Sequence, residues 1–216
     1  MHRTLWSFIT LAIAVLSSLA SAAQAEESPR VEITPFVGYR MGGQFDNEDS
    51  QQGAGNSVDV EDSGSWGIDL GVYRDNLSFY EILYSQQSAN FDTNQSTLSA
   101  VDLKTEYLHF GGTMFYPQDT WFVPYLSFTL GATRFDPQSS DYDTETNFSM
   151  SLGGGMRIPI AEHFTATLGA RGYVTFIDSD TEIFCVSGSS GANCLLKASG
   201  NAFFQGEVQL GLTYIF

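Results

Sequence analysis

The sequence predicts an all-β fold, an eight-stranded antiparallel up-and-down transmembrane β-barrel. Three observations carry this expectation. Eight long segments place apolar residues at every second position, the spacing of a strand with one oily and one wet face. Their connections alternate between long polar loops and tight turns, as in a barrel whose hairpins close on opposite sides of a membrane. Beyond residue 25 no run of 18 apolar residues occurs, so a bilayer would be crossed by strands and not by a helix.

The N-terminus reads as a secretory leader. His2 and Arg3 precede an apolar stretch over residues 5–19, and Ser21-Ala22-Ala23-Gln24-Ala25 offers small residues at 23 and 25 for cleavage after Ala25. Residues 1–25 are therefore assigned to a cleaved signal peptide and 26–216 to one barrel domain. With 25 acidic against 9 basic residues the chain carries a formal charge of −16, and loss of Arg3 with the leader makes it −17. That balance excludes nucleic acid as a partner.

The first segment, 30–45, sets Ile33, Val37, Tyr39 and Met41 against Glu32, Thr34, Phe36, Gly38 and Arg40. Pro35 lacks an amide donor, which a strand tolerates near its start. A polar loop follows over 46–59. In the second segment, 60–73, Trp66, Ile68, Leu70 and Val72 alternate with Gly67, Asp69 and Gly71. Arg74-Asp75-Asn76 turns into the third, 77–91, where Tyr80, Ile82 and Tyr84 oppose Phe79, Glu81, Leu83 and Ser85. A second polar loop covers 92–100.

The fourth segment, 101–116, sends Leu108, Phe110, Met114 and Tyr116 outward and His109, Gly111 and Thr113 inward. Val101 and Leu103 fall on the opposite parity, which predicts either a bulge or a strand that extends above the bilayer. A turn at 117–120 leads to the fifth, 121–135, with Leu126, Phe128 and Leu130 against Tyr125, Ser127, Thr129 and Gly131. Residues 136–145 form a third polar loop. The sixth, 146–160, alternates Phe148, Met150, Leu152, Met156 and Ile158 with Ser149, Ser151, Gly153, Gly155 and Arg157. Ala161-Glu162 turns into the seventh, 163–178, where Phe164, Leu168, Val174 and Phe176 face away from Thr165, Thr167, Arg171 and Tyr173. Residues 179–200 make the longest loop. The eighth segment, 201–216, carries Phe204, Gly206, Val208, Leu210, Leu212, Tyr214 and Phe216 on one face. Aromatics gather near strand ends, among them Tyr39, Trp66, Tyr116, Trp121 and Phe216, as interface girdles require.

The order of ITPFVGYR, YEILYSQQ, FGGT, GATRFDP, SLGGG, RGYVTFIDSD and the terminal aromatic strand resembles the small eight-stranded outer-membrane barrels of the OmpA/OmpX type, over essentially all of 26–216. The resemblance implies a Gram-negative outer membrane, periplasmic termini and short turns, and longer extracellular loops among lipid and lipopolysaccharide. Leu210, Leu212, Tyr214 and Phe216 are similar to the signal that the outer-membrane assembly machinery reads. The peptidoglycan-binding domain that follows the OmpA barrel has no counterpart here, so a cell-wall role is not expected. A monomer without cofactor is expected.

Alternation collects Glu32, Arg40, Asp69, Glu81, His109, Arg157, Arg171 and Glu207 inside. An eight-stranded barrel is just wide enough for its side chains to fill, and unpaired buried charge costs several kcal/mol. A plugged, ion-paired interior is therefore the first expectation, and hairpin counting brings Arg171 near Glu207 or Gln209. A narrow or gated path for small or hydrophobic solutes through the same residues is the alternative. A lipid A-modifying barrel enzyme would need a nucleophile–base–orienter set, and the two histidines beyond the leader, His109 and His163, do not supply one. Cys185 and Cys194, in CVSGSSGANC, are expected to form an intraloop disulfide in an exported chain, with two free thiols as the alternative. Asp46-Asn47-Glu48-Asp49 and Asp178-Ser179-Asp180-Thr181-Glu182 offer oxygen ligands for weak Ca²⁺ or Mg²⁺ binding. The second lacks the glycine and terminal glutamate of a calcium loop, so solvated acidic loops are the plainer reading.

Overall fold

The computed structural model describes residues 30–46, 57–92, 102–138, 144–177, 182–188, 191–197 and 202–216. The expected signal peptide and nearly all of the two candidate cation loops lie outside them. The strands are β1 (Val31–Met41), β2 (Gln44–Asp46), β3 (Ser57–Val60), β4 (Ser63–Asp75), β5 (Ser78–Asp92), β6 (Asp102–Phe115), β7 (Val123–Pro137), β8 (Glu145–Pro159), β9 (Phe164–Phe176), β10 (Glu182–Gly188), β11 (Gly191–Lys197) and β12 (Ala202–Ile215).

Eight of these close into a barrel in the order β5-β4-β1-β12-β9-β8-β7-β6, and the β5–β6 pairing completes the ring. Every pairing around it is antiparallel. Closure leaves no strand edge to be satisfied by solvent. Among the described residues no helix is long and apolar enough to cross a membrane.

Burial follows the period of two. Val37, Leu108, Phe110, Leu152 and Leu210 project outward and are more than half exposed, while Glu32, Arg40, Glu81, Arg171 and Glu207 are buried inside. A water-soluble protein does the reverse; so broad an apolar belt marks a surface for lipid. Trp66 and Tyr84 meet edge to face at 5.8 Å near the loop end. Phe164, Tyr214 and Phe216 pack together at the turn end, with centroids at 5.1 and 4.8 Å.

Three features differ in detail from the sequence reading. The first segment breaks at Gly42 and Gly43, whose φ values of 78° and 115° take the backbone out of β1. A Cβ at Gly43 would stand 2.7 Å from the Phe203 ring. Beyond the break β2 pairs with β3, and β3 with the end of β5, so the wall rises higher on that side. In β6 the pairing with β5 runs without a register shift from Asp102 to Met114, so no bulge lies there. Leu103 keeps its parity, points inward and packs as a 1% exposed apolar residue at the loop end of the barrel. Finally, the stretch read as the longest loop contains a hairpin, β10–β11. Its arms, EIFCVSG and GANCLLK, are rich in β-branched, aromatic and aliphatic residues, and Gly-Ser-Ser-Gly joins them.

Pro35 leaves a mark on the β1–β12 seam. The ladder pairs Ile33 with Tyr214 and resumes at Phe36 with Gly211. Between them a Thr34–Thr213 hydroxyl contact at 2.8 Å bridges the strands. At the β4–β5 turn, Asp75 accepts from the Leu77 amide at 2.8 Å and the Ser78 hydroxyl at 2.9 Å.

Candidate functional site

All eight of the charged or imidazole residues that alternation assigned to the interior point into it, and they are layered along the barrel axis. Nearest the turn end, Arg157 on β8 forks onto Glu32 on β1, with Nη1 donating to Oε1 at 3.1 Å and Nη2 to Oε2 at 2.8 Å. The Tyr73 hydroxyl donates to the same carboxylate at 2.7 Å. The Arg157 guanidinium lies 4.8 Å from the centroid of Phe115, which packs with Phe79 and Tyr125. This paired arrangement meets the carboxylate's lone pairs while the ring covers the cation's face.

In the middle, Arg171 on β9 reaches Glu81 on β5 at 3.2 Å and donates to the Ser151 hydroxyl at 2.9 Å. Thr113 donates to the other oxygen of Glu81. The β9–β12 register does set Arg171 opposite Glu207. The guanidinium nevertheless crosses the barrel to Glu81, since an eight-stranded interior is narrow enough for a long side chain to span. Gly169 makes room for Tyr125, whose hydroxyl oxygen would stand 2.2 Å from a Cβ there.

Further toward the loop end, Arg40 on β1 pairs with Glu207 on β12 at 3.1 Å, both side chains fully buried. Glu207 also accepts from the Tyr173 hydroxyl at 2.7 Å and from Ser65, and Arg40 donates to Ser85. Arg40 lies over the rings of Tyr107 and Tyr173, 4.8 and 5.0 Å from their centroids, and these rings stack at 4.2 Å. Its Nε and Nη1 are buried without a hydrogen-bond partner, and the rings' π-faces lie beside the cation. Tyr107 donates to Gln205 at 2.9 Å, and Gln205 donates on to Gln87 at 3.0 Å. Above lie buried Leu103, Phe135 and Phe203, an apolar plug at the loop end of the barrel.

Two of the eight stand outside the ion pairs. His109 hydrogen-bonds the Thr129 hydroxyl through Nδ1 at 2.9 Å and the Ser149 hydroxyl through Nε2 at 2.8 Å. Asp69 has no salt-bridge partner among the described residues, and its Oδ1 is buried without a hydrogen bond. Below the Arg171 layer, Asp69, Gln209, Arg171, Thr34, Thr167 and Thr213 line a small cavity of ≈ 30 Å³.

Sequence reasoning did not single out the Tyr107–Tyr173 stack or the Ser65 and Ser85 hydroxyls. Their inward parity was readable, but which inward residues meet across the barrel depends on the tilt and stagger of the strands. At the rim, the β10–β11 register sets Cys185 directly opposite Cys194. Leu210, Leu212 and Phe216 of the terminal strand face outward and are exposed.

The sequence model of the family described as "Outer membrane protein beta-barrel domain" matches residues 11–216. No curated protein matches the chain. Among solved structures, the fold is similar to that of Neisserial surface protein A, with a TM-score of 0.57 and 14% identity over 88% of this chain and 100% of that one. It is also similar to the outer membrane protein AlkL in lipid bilayers, with a TM-score of 0.59 and 12% identity over 89% of this chain and 93% of that one. At such identities the likeness is one of fold.

Proposed function

The chain belongs to the outer membrane protein β-barrel domain family, and from that premise we propose that it is a plugged barrel whose role is structural or surface-interactive. It acts as an envelope-integrity element that displays its loops outside the cell, and not as an open pore. In this reading residues 1–25 are removed on export, the termini and tight turns face the periplasm, and the barrel is a monomer. The carrying observation is the fully buried Arg40–Glu207 pair with its stacked tyrosines, beneath the apolar plug of Leu103, Phe135 and Phe203. An ion would have to break that pair and cross an apolar layer.

Three further parts of the proposal rest on the outer wall and rim. Outward residues Leu108 and Ala132 are paired across β6–β7, and the next outward pairs toward the loop end are Glu106–Arg134 and Lys104–Asp136. Lys104 and Arg134 thus stand just above the apolar belt, where the phosphates of lipopolysaccharide would lie. The outward row Leu210, Leu212, Tyr214 and Phe216 is the edge that the assembly machinery would read. Cys185 and Cys194, facing each other across the hairpin, form a disulfide after export. We further propose that the protein is not an enzyme. His109 is 1% exposed and its ring nitrogens are both engaged by hydroxyls, which supports a packing role.

Planar-bilayer recording tests the central claim. The folded protein is expected to give no single-channel steps. Reproducible steps from the unmodified protein, altered in size by Arg171→Ala, would replace this reading with the alternative of a narrow, gated solute path. The cavity beneath Arg171 is the observation that favours that second reading.

A further inference from the structure

Of the four carboxylates that alternation placed inside, three are in ion pairs. Glu32, Glu81 and Glu207 each hold a guanidinium, whereas Asp69 holds none. The Oδ1 of Asp69 and the Oε1 of Gln209 are both buried oxygens without a hydrogen-bond partner. Asp69 and Gln209 line one cavity, reached from β4 and β12 on either side of β1. Gln209 is only 8% exposed and lies beside the Tyr125 hydroxyl. Thr34, Thr167 and Thr213 add hydroxyl oxygens to the same wall, linked to one another at 2.8 and 3.1 Å. Arg171 also lines the cavity, but its charge is met by Glu81. Its Nε and the Ser127 hydroxyl lack partners too, and both approach the position a Cβ on Gly153 would take, at 3.2 and 2.9 Å. A shared water suits that pair. It does not supply the charge that Asp69 lacks.

The dimensions and chemistry of the space narrow its occupant. A volume of ≈ 30 Å³ for the centres of small species holds about two waters, or one small ion and a water. Carboxylate, amide and hydroxyl oxygens are ligands for hard cations. Among the described residues no three His, Cys, Asp or Glu gather as a metal cluster would need. One uncompensated negative charge calls for one positive charge. Phe115 and Arg157 line both this cavity and the recess at the turn-end mouth, so they stand between the two.

We propose that the cavity lined by Asp69 and Gln209 binds a small alkali cation, sodium or potassium. The ion completes the charge balance of the turn-end half of the interior. This goes beyond the plugged-barrel reading and stands apart from it, since a closed barrel with or without the ion is silent in a bilayer.

Sodium NMR on the whole folded protein in detergent micelles tests it. The sodium line is expected to broaden saturably, to be narrowed by competing potassium and to be unaffected by tetramethylammonium at equal ionic strength. Asp69→Asn is expected to abolish the broadening. Should that variant fail to fold, Gln209→Leu keeps the carboxylate and is expected to weaken binding by at least about tenfold, the loss of one contact to a charged group. Broadening that persists unchanged in either folded variant overturns the proposal. So does an infrared band of a protonated carboxyl that Asp69→Asn removes and sodium leaves untouched, because a proton would then supply the missing charge.

Discussion

The two halves of the barrel interior solve the same problem differently. Toward the loop end, Glu207 receives Arg40, Tyr173 and Ser65, the aromatic stack covers the cation, and apolar side chains seal the space above. Toward the turn end, Glu32, Arg157 and Arg171 border a cavity, so the halves differ in open space and not in unmatched polar atoms, which both contain. A filled half punishes the loss of either partner of a charge pair, because little space is left for water to replace it. A half that already contains space lets water or an ion take the missing place. Packing density, and not the number of ion pairs, should therefore set the cost of each substitution.

The largest effect is expected at Arg40. Replacing it by Ala leaves Glu207 buried without its cation and should cost about 3–5 kcal/mol, read by equilibrium urea unfolding from lipid vesicles. Arg171→Ala should cost less, about 1–3 kcal/mol, since Glu81 keeps the Thr113 hydroxyl and the cavity can admit water. Equal losses for the two would break the comparison between the halves. Gly169→Ala pushes a methyl against the Tyr125 hydroxyl, so Tyr125 must move, and about 1–3 kcal/mol of overpacking cost is expected in the same assay.

Smaller effects should follow at the two rims. Reduction of the proposed Cys185–Cys194 bond, or Cys185→Ser, should change the hairpin's protease sensitivity and leave the barrel's unfolding free energy within about 0.5 kcal/mol. The smallest concerns Asp75, whose carboxyl is held below the usual range by the Leu77 amide and the Ser78 hydroxyl. A depressed folded value means that its contribution is present above the unfolded pKa of about 3.9 and fades as pH falls through the lower folded one. The stability difference between the unmodified protein and Asp75→Asn should shrink over that acid range. A difference that persists unchanged into stronger acid would remove the carboxylate from the account.

Sequence periodicity read the wall well and the interior only by membership. Parity alone assigned Glu32, Arg40 and Glu207 to the inside, because a closed sheet gives a residue two choices of direction. Pairing was harder: Arg171 shares a rung with Glu207 yet bonds Glu81, a choice made by strand tilt and side-chain reach. Leu103 shows a second limit. Its apolar side chain on the inward parity suggested an irregular strand, whereas the interior itself turns apolar near the loops. The β10–β11 hairpin was hidden for a different reason. Its Gly and Ser residues read as loop composition, although they occupy only the tip, and the strand-forming residues on either side carried the signal.

The gap at Pro35 bears on how such a cylinder is made and how it comes apart. A chain that folds hairpin by hairpin joins its first and last ribbons only at the end, and here that final suture is missing rungs beside Thr34. Peeling the closed wall by force should therefore begin at this join, with the Thr34 and Thr213 hydroxyls acting as the clasp.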